Sequence, residues 1–341
     1  VLDAACDHLA TVIGIPAHVV RTALHQAEHE SGYRPFTLPK AGRGAPRIIA
    51  APAAELKLVQ RGVKILLESL PVSSAAHGFR RGRSIVTAAR AHIQARVTLH
   101  IDLEDFFHSI EASRVYAMLE ELFSTQIIYS AWGVPSYVSA DLAALITTLT
   151  TRQIASKRVL PQGAPTSPIL ANIIAHPFDN NVLRAVAQSR TKWVYTRYAD
   201  DLYISSAEEE ISEAFRDEML DLVLESGFRP HPAKTRIRST FTGSKNYAQK
   251  LEFMGLILDH HTKTVRIDRK RMRGFREAIH TASRERPLSP KSVQKVNGII
   301  SFARMVYGTV PPPLKTPYSQ FRQNLHVSSG GLLGTTEAES I

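Results

Sequence analysis

The most constraining feature of this chain is a pair of short strands joined by a turn that ends in two acids. Trp193-Val194-Tyr195-Thr196-Arg197-Tyr198 and Leu202-Tyr203-Ile204-Ser205 are rich in β-branched and aromatic residues, which suit a pleated surface. Only Ala199, Asp200 and Asp201 separate them. The chain must reverse across a tight Ala199-Asp200 turn, giving a hairpin with both carboxylates at its tip. A third carboxylate, Asp102, directly follows Val97-Thr98-Leu99-His100-Ile101, which reads as another short strand.

The surrounding pattern predicts a mixed sheet backed by helices. Leu2, Ala5, Leu9, Val12 and Ile13, then Val19, Val20, Leu24 and Ala27, fit two short amphipathic helices around Gly14 to Pro16. Arg47-Ile48-Ile49-Ala50 follows a Gly-rich turn as a strand, and helical spacing runs from about Ala54 to Leu70. Ser167-Pro168 has the form of an N-cap with Pro at the first helical position. Ser206 with Glu209 has the form of a capping box for a helix that closes near Gly227. Strands are expected near Thr235 to Arg238 and Leu251 to Leu258. From Asp268 onward the reading is helical and basic, broken at Pro311-Pro312-Pro313. Ser328-Ser329-Gly330-Gly331 to Ile341 has a linker composition and is expected to be disordered.

The formal net charge of +11 points to a polyanionic partner, because Lys and Arg that neutralise phosphates release condensed counterions. A single cysteine, Cys6, excludes an internal disulfide framework and a cysteine-rich zinc site. His260-His261 are adjacent and lack zinc spacing, so they read as loop residues. No apolar stretch spans a bilayer and no leader pattern is evident, so the expectation is a cytoplasmic protein without a membrane partner. The sequence starts at Val1 and not at Met, which leaves its true N-terminus open.

Acids at strand ends are often plain turn formers, and Asp102 alone would be read so. The three together fit another chemistry. Phosphoryl transfer to a 3′-hydroxyl uses two metal ions roughly 3.5 to 4 Å apart, and hard oxygen ligands on rigid strands suit Mg²⁺.

Three segments occur in a telling order: Ile101-Asp102-Leu103-Glu104-Asp105-Phe106-Phe107, Leu160-Pro161-Gln162-Gly163-Ala164-Pro165-Thr166-Ser167-Pro168, and Arg197-Tyr198-Ala199-Asp200-Asp201. Together they resemble the successive palm motifs of bacterial reverse transcriptases. Leu38-Pro39-Lys40 with Arg47-Ile48-Ile49, and His77-Gly78-Phe79-Arg80-Arg81-Gly82-Arg83-Ser84, are similar to the fingers motifs of that family. The resemblance runs from Tyr33 to Leu258 and is nearest to retron and defence-associated enzymes. It departs at two retron signatures: Ala88-Ala89-Arg90-Ala91-His92 keeps the histidine of Asn-Ala-x-x-His but not the Asn, and Phe253-Met254-Gly255 stands where Val-Thr-Gly is usual.

The resemblance implies an α+β right-hand polymerase whose palm sheet carries the catalytic carboxylates. It implies a helical cap at 1–30, fingers at 31–96, a palm at 97–262 with a helical insertion at about 112–158, a basic thumb at 263–327, and a tail at 328–341. It makes Asp102, Asp200 and Asp201 catalytic metal ligands, with the Leu103 carbonyl beside them, for two Mg²⁺ ions or Mn²⁺. Lys234 matches a residue that either protonates the pyrophosphate leaving group or contacts phosphate. Lys40, Arg47, Asp105, Phe106, Phe107, Gln162 and Gly163 match nucleotide-binding positions. Phe107 is the aromatic that excludes a 2′-hydroxyl; one of the Phe106-Phe107 pair must face the core, because strand neighbours point opposite ways. Arg80, Arg81, Arg83, Tyr198, Phe253, Met254, Gly255, Arg269, Lys270 and Arg273 match nucleic-acid contacts, and Phe253-Met254-Gly255 resembles the primer grip.

The implied partners are an RNA template, in particular a dedicated structured noncoding RNA, together with an RNA–DNA hybrid, dNTPs and an effector protein encoded nearby. Alternative readings are a CRISPR-associated or group II intron-derived reverse transcriptase, an RNA-dependent RNA polymerase, a template-independent nucleotidyltransferase, and a catalytically silent RNA-binding protein. Phe107 disfavours ribonucleotides, and the intact acids argue against a silent protein.

Overall fold

A computed structural model of the chain describes residues 2–39, 46–124, 133, 138–248, 250–259 and 262–328. Lys40, His260, His261 and residues 329–341 lie outside the described residues, as does part of the 112–158 insertion. The chain divides into two compact units: residues up to Ser84 with Val97–Arg238, and Ile85–Arg96 with the residues from Ser239 onward.

The first unit is organised by a four-stranded sheet. Its strands are β3 (Val97–Asp102), β6 (Val194–Tyr198), β7 (Asp201–Ser206) and β8 (Arg236–Ser239), in the order β6-β7-β3-β8. β7 runs antiparallel to both β3 and β6. β3 is central, and its apolar residues Val97, Leu99 and Ile101 are buried together with Thr98. Helix α8 (His176–Gln188) packs on β6, and α9 (Glu213–Glu225) packs on α8.

Before the sheet come α1 (Leu2–Ile13), α2 (Ala17–Glu28), the hairpin β1 (Tyr33–Leu38) and β2 (Arg47–Pro52), and α3 (Ala54–Leu67). Between β3 and β6 lie α5 (Ala112–Ser124), α6 (Ser139–Thr150), the short hairpin β4 (Arg152–Ile154) and β5 (Lys157–Val159), and α7 (Ser167–Ile174). The N-terminal helices are integral to this unit, because α1 and α2 pack on α3 and α6 through buried Leu9, Val20, Ala23 and Leu24.

Three local expectations are corrected. Ser206 does not cap a helix: it ends β7 opposite Val97, so the sheet ladder claims it. The cap is Ser212, whose hydroxyl accepts from the Phe215 N–H, and Gly227 at φ +76° closes α9 as expected. Ser167 lies inside α7 behind Thr166, and its hydroxyl donates to the Pro161 carbonyl at 2.7 Å, pinning the preceding loop instead of the helix end. The Leu251 to Leu258 run is two strands and not one, for a turn divides it.

The second unit holds α4 (Ile85–Ala91), the antiparallel meander β9 (Leu251–Phe253), β10 (Leu256–Asp259) and β11 (Thr264–Ile267), and helices α10 (Arg269–Arg284), α11 (Pro290–Tyr307) and α12 (Pro312–Ser328). Asp268 caps α10 by accepting from the Lys270 N–H, and Ser289 caps α11 by accepting from the Ser292 N–H. Among the described residues, no helix is long and apolar enough to cross a membrane.

Candidate active site

The three carboxylates converge because of strand register. Asp102 pairs with Asp201 across β3 and β7, and Asp201 also stands opposite Tyr198 on β6. Directly opposed residues in a sheet share a face, so Asp102 and Asp201 project to the same side. Asp200 sits in the two-residue turn, and its carbonyl accepts the Leu103 N–H at 2.9 Å, which ties the tip to the end of β3. His231 N–H donates to the Asp102 carbonyl at 2.7 Å and fixes the segment that brings Lys234 alongside.

Each acid has a different environment. Lys234 Nζ lies 2.9 and 2.8 Å from the two carboxylate oxygens of Asp102, and His100 Nε2 lies 2.6 Å from Asp201 Oδ1. Burial, then the neighbouring charge of Asp201 and, less, that of Asp102, raise the Asp200 carboxyl from 3.8 to about 6, against opposing backbone hydrogen bonding and a smaller pull from Lys234. A hard cation would relieve that repulsion, so the donor set fits one. In this geometry Asp102 and Asp201 are engaged by Lys234 and His100. Among the described residues no three His, Cys, Asp or Glu side chains already form a metal-holding group.

A buried polar network supports the turn. Arg197, on β6, makes a bidentate pair with Asp179 of α8 at 2.9 and 2.8 Å, with both side chains fully buried. Its Nη1 also donates to Asn172 Oδ1 at 3.1 Å and to the Ala199 carbonyl at 3.2 Å, while the Tyr195 hydroxyl donates to Asp179. Asn172 in turn donates to the Gly78 carbonyl at 2.9 Å. A Cβ on Gly78 would come 2.7 Å from the Ala199 nitrogen, so only glycine lets this loop approach the turn. Ala199 itself is held at φ +56°, a conformation uncommon outside glycine.

The candidate nucleotide residues are partly assembled. Phe106 is buried and touches Phe228, whereas Phe107 is half-buried and available at the surface. They lie on a turn that starts from exposed Asp105 at φ +44°, and not on a strand as the sequence argument assumed. The Gln162 carbonyl accepts the Ala50 N–H at 2.8 Å, setting Gln162 and Gly163 against β2, the strand that starts with Arg47. Gly163 has φ +122°, and a Cβ there would meet Ile49 at 2.6 Å. Arg80 is spent on its own loop, donating to the Ser73 and Ala76 carbonyls, and leaves Arg81 and Arg83 as the exposed cations of that segment. Arg83 donates to His77 Nε2 at 3.3 Å, which requires a neutral imidazole acceptor. Burial, with Arg83 and Arg80 nearby, lowers the His77 pKa to about 4.

The sequence model of the reverse transcriptase (RNA-dependent DNA polymerase) family matches residues 38–258, the span that contains all of these groups. The chain belongs to the reverse transcriptase family. It is similar to the retron Mx162 reverse transcriptase of Myxococcus xanthus, at 32% identity over 89% of this chain and 64% of that enzyme. It is also similar to the retron Ec86 reverse transcriptase of Escherichia coli, at 31% identity over 78% of this chain and 74% of that enzyme. The chain thus spans just under two thirds of the length of the Mx162 enzyme. A telomerase of Candida albicans, solved with a fragment of telomeric RNA, superposes with a TM-score of 0.47 and 11% identity, over 87% of this chain and 60% of that one.

Family membership gives the fold class, a right-hand polymerase, and the antiparallel strands that carry Asp102, Asp200 and Asp201 belong to its palm. In the second unit of this reverse transcriptase, Phe253 ends β9 and Met254-Gly255 turn the chain into β10 at φ +50° and +76°. Two successive positive φ values mark a tight hairpin turn. The ring of His92, the residue kept from the retron signature, packs 5.1 Å from Phe253. Arg269, Lys270 and Arg273 are exposed on the first turns of α10.

Sequence reading did not single out Phe79, His100, Asn172 or Asp179. Phe79 is 47% exposed at φ +59°, with its ring 6.0 Å from Phe107 and 6.3 Å from Tyr198. Its only signal was its place between Gly78 and Arg80. His100 was legible in principle, since it precedes Asp102 by two residues and so shares its face of β3.

Proposed function

We propose that this chain copies RNA into DNA at the end of β3 and the tip of the β6–β7 hairpin. The observation that carries this reading is the register that opposes Asp102 to Asp201 with Asp200 beside them, within the span matched by the family. Asp102, Asp200 and Asp201, with the Leu103 carbonyl, would hold two Mg²⁺ ions, or Mn²⁺. When bound, such ions activate the attacking 3′-oxygen and stabilise the leaving pyrophosphate.

The chain's own groups supply the rest. Lys234 leaves Asp102 for the phosphates of the incoming dNTP, as a cation and as a proton donor to pyrophosphate. Lys40 and Arg47 clamp the triphosphate. Phe107, with Phe79 beside it, closes the sugar site to a 2′-hydroxyl. Gln162 and Gly163 contact nucleotide and template, Tyr198 contacts nucleic acid, and Phe253-Met254-Gly255 serves as a primer grip. Residues 31–96 serve as fingers, 97–262 as palm and 263–327 as a basic thumb on the RNA–DNA hybrid.

The retron names of the relatives support a dedicated structured noncoding RNA as the template. Expressed with its native flanking DNA, the protein should copurify with one abundant RNA and a DNA copy of part of it. Random cellular RNA with no DNA product would contradict the proposal.

A further inference from the structure

The second unit contains an open cleft of about 670 Å³, and Arg269 and Arg273, matched above only to general nucleic-acid contacts, form part of its lining. Its size falls in the range of roughly 300 to 1,000 Å³ typical of small-ligand sites. One wall is a face of α10 with Arg269, Arg273 and Arg276, at the spacing that stacks side chains along one side of a helix. Arg266 on β11 adds a fourth guanidinium. The lining also includes Tyr307 and the Pro311–Pro313 run, and the Tyr307 hydroxyl accepts the Ile267 N–H at 2.9 Å, which anchors the ring.

The charge in this cleft is compensated only at Arg266. No carboxylate lines it, and among the described residues Arg269, Arg273 and Arg276 have no acidic partner. Arg266 reaches Asp259 only at 3.7 Å, and its Nε is buried without a hydrogen-bond partner. The like charges of Arg269, Arg273 and Arg276, with Arg266 only loosely paired, are relieved when an anion enters, and guanidinium forks match phosphate oxygens. Tyr307 and the prolines of the lining offer a ring and flat faces, suited to a planar base.

We infer that this cleft holds one unpaired ribonucleotide of a bound RNA, with its phosphate on the arginines and its base against Tyr307 and the prolines. The inference rests on the RNA-templated reading above and adds a recognition element to it. A duplex presents its phosphates along a convex ridge and binds to open surface, whereas a concave site takes a nucleotide that projects from its strand. A free nucleotide shares this chemistry, and the experiment separates the two.

Fluorescence anisotropy on the full chain should compare a labelled single-stranded RNA octamer, a blunt RNA duplex of equal length, and unlabelled 5′-AMP as competitor. The octamer should bind wild type, and Arg273→Gln with Arg276→Gln should weaken it by about tenfold or more while duplex binding falls by about threefold or less. Arg21→Gln, on the exposed surface of α2 and outside the fingers, palm and thumb, should leave both unchanged. Equal losses on octamer and duplex would overturn the pocket and reduce these arginines to general backbone contacts. Displacement by 5′-AMP at the octamer's own affinity would overturn the strand-borne nucleotide in favour of a free one. Primer extension by the same wild-type preparation keeps the two readings apart: extension with no pocket effect sinks only this inference.

Discussion

Lys234 Nζ grips both carboxylate oxygens of Asp102, at 2.9 and 2.8 Å, from a segment 132 residues further along the chain. The pair is formed because His231 N–H bonds the Asp102 carbonyl and the chain then turns back within one helical turn. In the proposed mechanism, a cation held on this acid is also poised beside the phosphates that the acid would orient.

Lys234→Met should therefore lower kcat by about 10²-fold or more, the usual worth of a positioned acid, with binding of primed template nearly unchanged. Pre-steady-state extension with separate measurement of template affinity checks this. Near-normal kcat would reduce Lys234 to a structural partner of Asp102.

The Arg197–Asp179 pair is fully buried and also holds Asn172 and the Ala199 carbonyl. Arg197→Met strands the Asp179 carboxylate in the interior and should cost about 3 to 5 kcal/mol in denaturant unfolding. Adding Asp179→Leu to it should recover part of that loss. A single-variant cost below about 1 kcal/mol would mean that the network does not support the turn.

The Asp200 carboxyl is held at about 6 by burial and then by Asp201, against 3.8 for an ordinary aspartate. Between those values the folded chain binds a proton that the unfolded chain has released, so stability of the metal-free protein falls as pH rises through this window. Asp200→Asn removes that penalty. The variant should exceed wild type by on the order of 2 kcal/mol above about pH 6, shrinking to nothing below about pH 4. Urea unfolding in chelator across that range tests the sign, and a pH-independent difference would contradict it.

Phe106 is 4% exposed and packed on Phe228, whereas Phe107 is half-buried beside Phe79. Phe107→Val should raise the ribonucleotide to deoxyribonucleotide ratio of kcat/KM, and Phe106→Val should lower stability without moving that ratio. The opposite assignment of effects would shift the gate to Phe106.

Much of the site was legible in the sequence because strand alternation and short turns leave few geometries. The 193–205 hairpin and the 97–101 strand followed from periodicity and residue type, whereas which of Phe106 and Phe107 faces inward did not, because the pair lies on a turn. What escaped was long-range pairing. Asp179 and Asn172 look like ordinary polar residues on helices, and only the fold brings them to Arg197. Ser206 was misread as a cap because the ladder bond to β3 outcompetes a local side-chain bond, which sequence spacing does not reveal. The split of Leu251 to Leu258 into β9 and β10 depends on Met254 taking a positive φ, which its side chain does not announce.

As proposed, Asp102, Asp200 and Asp201 act as one metal-dependent site for DNA synthesis on RNA. This is tested most directly by extending a DNA primer on an RNA template with dNTPs and Mg²⁺, using wild type, Asp102→Asn and Asp200→Asn. Both substitutions keep the shape of the strand end and turn while removing a charged oxygen donor. Wild type should extend the primer, and each variant should lose several kcal/mol of transition-state stabilisation, a fall of at least about 10³-fold, while still binding the RNA. Extension by either variant at a rate near wild type would contradict the account.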